Sequence, residues 1–269
     1  MKRSGHHGIL ALMARHADGS AGDADYGTIG PGYAEIRRPD PRIAARFHAA
    51  LGDAKTVLNV GAGAGSYEPQ DRTVTAVEPS ATMRAQRPTE LAKAIDATAQ
   101  GLPFDDNSFD AAMASVTIHQ WPDLERGLGE MRRVTTGPVA ILTFDPVPPA
   151  NWWLIDYVPE LFEVEAARMP AIELVRSGLG GTTEVHVVPI PADCTDRFGQ
   201  ALFARPEQLL DPNVRRAMSA WSFLDASRID EFVAALEADL ADGRWDARYG
   251  HFRELDEFDG GMRLVVGTP

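Results

Sequence analysis

The chain of 269 residues, 44% hydrophobic, is long enough to bury a sizeable core, and it sits near the upper limit for one α/β domain with an insertion. Its 39 acidic residues outnumber 26 basic ones, and the formal charge of -13 repels phosphate backbones; Arg37-Arg38 and Arg132-Arg133 are pairs rather than a basic patch, so no nucleic-acid partner is expected. The single cysteine, Cys194, excludes an internal disulfide or thiolate cluster and favours a cytoplasmic setting, while no apolar run reaches the roughly 18 residues of a membrane helix, so no membrane partner is expected.

Residues 1–25 read as a flexible leader. Lys2 and Arg3 precede an apolar Gly8 to Ala14, but that run is too short for a signal peptide and ends in Arg15-His16 without a small-residue cleavage site. Gly19 to Asp25 (GSAGDAD) continues the leader. Residues 26–269 then read as one domain: a ligand-binding core over 26–145, a mixed cap region over 146–260 and a last strand over 261–267.

Asp40 followed by Pro41 marks a helix N-cap, with Ile43, Ala44, Phe47 and Leu51 on one apolar face and Gly52 as its stop. Thr56 to Val60 is a β-rich run that halts at Gly61. Strand Val74 to Glu78, a helix from Ser80, a strand near Ala92 to Ile95, and strand Phe109 to Val116 follow. The helix Asp123 to Arg133 turns Leu124, Leu128 and Met131 inward. Pro138 to Phe144 is apolar along most of its length, as a strand buried on both faces should be. The alternation predicts a parallel sheet covered by helices.

Beyond Pro146 the pattern predicts helical stretches over Ile155 to Ala167 and Ala171 to Gly178, then a strand over Thr183 to Pro189. A further helix starts at Ser227, with Asp230 completing a capping-box pattern, and buries Ile229, Phe232, Val233, Leu236 and Leu240. Gly261 to Gly267 is the last strand.

The chemistry concentrates around Val57-Leu58-Asn59-Val60-Gly61-Ala62-Gly63-Ala64-Gly65, a strand running into a GxGxG turn. Glycines belong where a chain turns sharply and a ligand approaches the backbone. The second strand ends in Glu78, 17 residues after Gly61 and close to the roughly 20 expected for an acid that grips a ribose diol. These features fit either a nicotinamide cofactor or S-adenosylmethionine. Against the nicotinamide reading, the third glycine comes one position early and Ser66 fills the dinucleotide slot. A third element, Ala99-Gln100-Gly101-Leu102-Pro103-Phe104-Asp105-Asp106-Asn107-Ser108-Phe109-Asp110, points the same way.

Together VLNVGAGAG, VTAVEPS and AQGLPFDDNSFDAAMASVTIHQW resemble the class I S-adenosylmethionine-dependent methyltransferases, and among them the small-molecule, ubiquinone/menaquinone-type group with its LPF-x-D-x-SFD signature. The resemblance covers about residues 26 to 145, with Met262 to Val266 as the final strand. It implies a Rossmann-like α/β fold with a mostly parallel seven-stranded sheet, helices on both faces and a helical lid. It also implies S-adenosylmethionine as cofactor and a small-molecule acceptor. Carried over by motif, Gly61, Ala62 and Gly63 would underlie the methionine part, Glu78 would take the ribose hydroxyls, and Pro79 and Met83 would wall the adenine. Ala99 and Gln100 would meet the adenine edge, and Ser115 and Val116 would lie near the sulfonium. Tyr33 and Arg38 resemble the N-terminal lid, where an arginine pairs with the cofactor carboxylate, and Arg37 contends equally for that task. Two departures stand out. Asn59 replaces an acid that helps hold the methionine ammonium, and Thr98 replaces an aspartate beside the adenine.

Methyl transfer from a sulfonium is an in-line displacement that positioning can accelerate, and a protic acceptor can also need a base. His119, just past the fourth strand, is the candidate. Asp193, Cys194 and Asp196 could reach the same mouth, and Trp152, Trp153 and Tyr157 could line an acceptor pocket. No His/Cys/Asp spacing resembles a metal-ligand set. Two other functions stay open at this level: a nicotinamide-dependent oxidoreductase, and an S-adenosylmethionine-binding protein that does not catalyse.

Overall fold

Val-Ala-Ile-Leu-Thr-Phe is apolar at nearly every position, and Val139–Phe144 is buried at every residue, the fate of a central strand covered on both faces. The computed structural model describes residues 15–149 and 152–269, so the part of the expected leader over residues 1–14 lies outside the described residues. Strands β1 (Thr56–Val60), β2 (Thr73–Val77), β3 (Ala111–Ser115), β4 (Val139–Phe144), β5 (Thr182–Val187) and, after a short two-stranded ribbon of β6 (Ile190–Pro191) with β7 (Glu257–Phe258), β8 (Met262–Thr268) build the sheets. The main sheet runs β2-β1-β3-β4-β8-β5. Its first four strands are parallel, and β8 lies antiparallel between β4 and β5. This is a Rossmann-like α/β architecture.

Among the described residues the main sheet has six strands, one fewer than expected. The segment near Ala92 to Ile95 makes only one bridge, Val77 to Ile95. Its neighbours are held by side chains instead: Arg87 takes the Ala92 carbonyl at 3.1 and 2.9 Å, and Asp96 pairs with Arg15 and Arg84.

Strand alternation splits the core in two. Val57, Ala111, Met113, Ala140 and Leu142 face the helix over Pro41–Ala49 and the cap, whereas Leu58, Ala112, Ala114, Val139 and Ile141 face the opposite helices. Before the sheet come α1 (Tyr26–Ile29), α2 (Tyr33–Ile36) and α3 (Pro41–Ala49), which buries Ile43 and Phe47. Its N-cap Asp40 accepts from the Arg42 backbone N–H at 2.9 Å. Helix α4 (Ala81–Arg84) is capped by Ser80, and α5 (Leu124–Arg133) by Asp123. The cap contains α6 (Trp153–Tyr157), α7 (Pro159–Arg168), α8 (Ile172–Leu179), α9 (Pro212–Arg216), α10 (Ala226–Ala241) and α11 (Arg244–Tyr249). Proline at the first position of α7 separates it from α6, so the expected stretch over 155–167 is two helices. The capping box at Ser227 does not form, because α10 begins one residue earlier behind Asp225 and no side chain caps it.

Residues 15–25 are not a loose leader. Asp18 accepts from the Ser20 backbone N–H at 2.9 Å and from the Ser80 hydroxyl, its carbonyl takes the Ala81 N–H at 2.7 Å, and Asp23 pairs with Arg168. A Cβ on Gly19 or Gly22 would strike the backbone of Pro79 or Gln120. This polar segment is therefore stitched to the carboxyl end of the sheet.

Candidate active site

The turn after β1 places Gly61, Gly63 and Gly65 at positive φ, of 68°, 51° and 96°. The amides of Gly61 and Ala62 both donate to the Val77 carbonyl at 2.9 Å. A Cβ on Gly61 would collide with the Thr117 side chain, so glycine is demanded there by both conformation and space. At the tip of β2, Glu78 is only 7% exposed. One carboxylate oxygen accepts from Gly63 N at 2.8 Å and the other from Ser80 N at 2.8 Å. Burial pushes this carboxyl above its ordinary value, and those two backbone donors with Arg84 and Arg87 oppose the rise. Each oxygen keeps a lone pair to accept a ligand hydroxyl.

Behind the loop, Asn59 is 1% exposed and its Nδ2 donates to Glu68 Oε1 at 2.9 Å. Arg87 Nη2 grips both Glu68 oxygens at 2.8 and 2.9 Å, so the amide is fixed by a buried ion pair. Asn59 Oδ1 is left buried without a partner. An unmet buried acceptor costs about 1–3 kcal/mol, which a ligand N–H would recover.

Asn59 and Glu78 open onto one cavity of about 790 Å³ counted to its mouth. Tyr33, Gly61, Ala62, Gly63, Pro79, Met83, Ala99, Gln100, Ser115 and Val116 line it too. So do Thr98 and Trp121, the latter also packed where a Cβ on Gly127 would sit. Arg38 does not reach the cavity. Its Nε donates to the Glu35 carbonyl at 3.1 Å and its side chain stays outside, because the two residues after α2 diverge. Arg37 turns inward, and three hydrogen bonds hold it: Nε and Nη2 meet Asp196 at 2.5 and 3.3 Å, and Nη1 meets the Tyr33 hydroxyl at 3.1 Å. Ser20, Ala21 and Tyr26, outside any sequence motif, also line the cavity, as do Thr117 and Gln120 just past β3.

A second cavity of about 490 Å³, again counted to its mouth, lies beyond Tyr26, Tyr33 and Val116, which wall both spaces. Val116 holds a left-handed φ of 48°. For a β-branched residue this is a strained conformation costing about 1–3 kcal/mol, and such strain gathers at functional sites. His119 faces the second cavity, not the first. The Gln120 amide sits among Asp23, Arg168 and His119, and the orientation that satisfies all three puts its oxygen 3.0 Å from His119 Nε2 and its nitrogen 3.1 Å from Asp23 Oδ1. That makes Nε2 the protonated nitrogen and leaves Nδ1 a buried, unpartnered acceptor. Burial, followed by the charge of Arg168, pushes His119 down to about 3. It is therefore neutral at physiological pH and a feeble base.

The other sequence candidates lie elsewhere. Trp152 and Trp153 are core residues, and the Tyr157 hydroxyl meets Asp239 at 2.6 Å. Asp193 is exposed and pairs with Arg42. Cys194 is buried, its thiol pushed up to about 12 by desolvation. Asp196 anchors Arg37 and takes the Tyr67 hydroxyl at 2.9 Å. Among the described residues no group of three or more His, Cys, Asp or Glu side chains is placed to hold a metal ion, and no helix is long and apolar enough to cross a membrane.

The fold and the cradle define a class of nucleotide-fold transferase, and comparison with known proteins gives the family. Residues 58–138 match the family model described as a methyltransferase domain. A solved structure of a candidate methyltransferase from an antibiotic biosynthesis pathway of Anabaena variabilis shares 30% identity over 87% of this chain and 99% of its own, with a TM-score of 0.80. An uncharacterized methyltransferase of Bacillus subtilis, YcgJ, is 28% identical over 39% of this chain and 46% of its own length. The spinach chloroplast 2-methyl-6-phytyl-1,4-hydroquinone methyltransferase is 28% identical over 36% and 31%. The matched part of this chain thus spans less than half of either curated relative. The chain belongs to the S-adenosylmethionine-dependent methyltransferases, and its cofactor is S-adenosylmethionine. The oxidoreductase alternative falls with that assignment.

Proposed function

We propose that this methyltransferase acts on a small molecule seated in the second cavity, within a single domain spanning the sheet and its cap. The observation that carries the reading is the common wall of Tyr26, Tyr33 and Val116, which joins the glycine-loop cradle to a second, open-mouthed chamber. In this reading Glu78 takes the ribose hydroxyls and Asn59 Oδ1 the methionine ammonium. Gly61, Ala62 and Gly63 underlie the methionine part, and Tyr33 closes over it. Pro79 and Met83 wall the adenine, Ala99 and Gln100 meet its edge, and Ser115 and Val116 face the sulfonium. The cofactor supplies an activated methyl group, and the protein's task is to seat an acceptor in line with it and keep water out. His119, being neutral, holds the acceptor through Nδ1 as a hydrogen-bond acceptor rather than taking its proton. A single cysteine, buried and unpaired, suits a reducing cytoplasm, which belongs to the same proposal.

Incubating the chain with methyl-labelled S-adenosylmethionine and a fractionated cell extract tests this. Label is expected in a low-mass product, with release of S-adenosylhomocysteine. Label confined to the protein or nucleic-acid fraction contradicts the small-molecule reading.

A further inference from the structure

Inside the second cavity lies a carboxyl group with no assigned task. Glu165 lines this space from α7 together with His119, Phe144, Phe198 and Met218. Its helical neighbours show why it points there: Leu161 is one turn before it, Arg168 one turn after, and Leu161 is buried. Every other charged group in the chamber is already matched. Arg37 is paired with Asp196 and Arg168 with Asp23. The cavity therefore offers a carboxyl group touched only by Gln200, and His119 beside it, on walls of mixed polar and apolar surface.

We propose that Glu165 is the general base for a neutral hydroxyl acceptor, such as a phenol, bound in this chamber. The inference rests on the methyltransferase reading of the adjoining cradle. A hydroxyl suits the site better than a carboxylate, which the ionised Glu165 would repel, or an ammonium, whose nitrogen has no lone pair with which to attack the methyl group. In the step, the acceptor oxygen forms a bond to the methyl carbon as the carbon–sulfur bond breaks and its electron pair stays on sulfur. The hydroxyl proton passes to the Glu165 carboxylate and leaves from there to solvent. Burial pushes Glu165 up to about 7, against the opposing pull of Arg168 and a hydrogen bond from Gln200. A carboxyl so poised is matched to proton transfer near neutrality.

The groups facing Glu165 let the idea be read by pH. His119 titrates near 3, Tyr26 and Tyr33 are pushed above the ordinary phenol value, and both arginines stay charged. Only Glu165 among them changes charge between about pH 6 and about pH 8. Phenol remains neutral and benzoate ionised over that range. Their affinities for the S-adenosylhomocysteine-saturated chain, measured by calorimetry, should move in opposite directions. Phenol should tighten towards pH 8 and benzoate weaken, each by roughly tenfold at most, as the ionised fraction rises from about a tenth to nine tenths. Glu165→Gln should abolish both trends while still binding S-adenosylhomocysteine, which also reports that the variant is folded. Phenol failing to bind, parallel trends for the two probes, or trends that survive the substitution would overturn the assignment. Failure of S-adenosylhomocysteine itself to bind would count against the methyltransferase cradle instead, and the same two probes titrated into the ligand-free chain would still judge Glu165.

Discussion

Replacing Glu78 with alanine probes the cradle at its hinge. In the wild type the carboxylate satisfies two backbone donors, Gly63 N and Ser80 N, each at 2.8 Å. Alanine leaves both short of a partner in a site 7% exposed. At about 1–3 kcal/mol for a stranded buried donor, folding stability should fall by about 2–4 kcal/mol once partial access of water is allowed for. Cofactor binding loses the ribose contacts as well, about 1–3 kcal/mol, or roughly fivefold to 150-fold in dissociation constant. Glu78→Gln should fall between, because one oxygen still accepts while the new amide nitrogen faces a donor. Calorimetric titration with S-adenosylhomocysteine measures the affinity, and urea denaturation the stability. An unchanged dissociation constant in a folded Glu78→Ala protein would refute the ribose assignment.

Gly61→Ala should cost more affinity than a surface substitution can, since the new Cβ meets Thr117 and the residue must hold φ of 68°; near-wild-type titration with S-adenosylhomocysteine would contradict the tight turn. Arg38→Ala should leave affinity and stability within about 0.5 kcal/mol, whereas Arg37→Ala strands the buried Asp196 and should destabilise by about 3–5 kcal/mol in denaturant melts. Asp40 is fully buried, and although burial opposes it, hydrogen bonds from Arg42 and Thr195 hold its carboxyl down to about 2 from 3.8. A lowered folded-state value means stability is present above about pH 4 and is lost as pH falls towards 2, about 2 kcal/mol in all; Asp40→Asn should flatten that part of the stability profile, and an unaltered profile would rule the cap out as its source. Once the acceptor is known, His119→Ala should lower turnover while shifting cofactor affinity by less than about threefold, about 0.7 kcal/mol; undiminished turnover would remove it from the site.

What could be read from sequence was written in short-range pattern. The run from Thr56 to Gly65 and the strand tip at Glu78 carry their roles in adjacent residues, so strand, turn and carboxylate were all legible. The choice between Arg37 and Arg38 was not, because a four-residue helix ends just before them and its exit angle depends on Asp196, far along the chain. The segment over 15–25 has the glycines and polar residues of a linker, and only its distant partners Ser80, Gln120 and Arg168 make it a wall. Likewise, the apolar tryptophans 152 and 153 serve equally as pocket lining or as core, and packing against Phe162 and Trp245 decided for core. Glu165 did leave a signal, an acid one turn beyond the buried Leu161, but α7 also carries Glu160 and Glu163, and their faces are separated only once the helix is docked.

A crystal structure of the chain soaked with S-adenosylhomocysteine measures the central claim most directly. The ligand should lie against Gly61 and Glu78, its ammonium on Asn59 Oδ1 and its sulfur turned towards the gap between Tyr33 and Val116. A vacant cleft at saturating ligand, or a sulfur facing away from the chamber of His119 and Glu165, would contradict it.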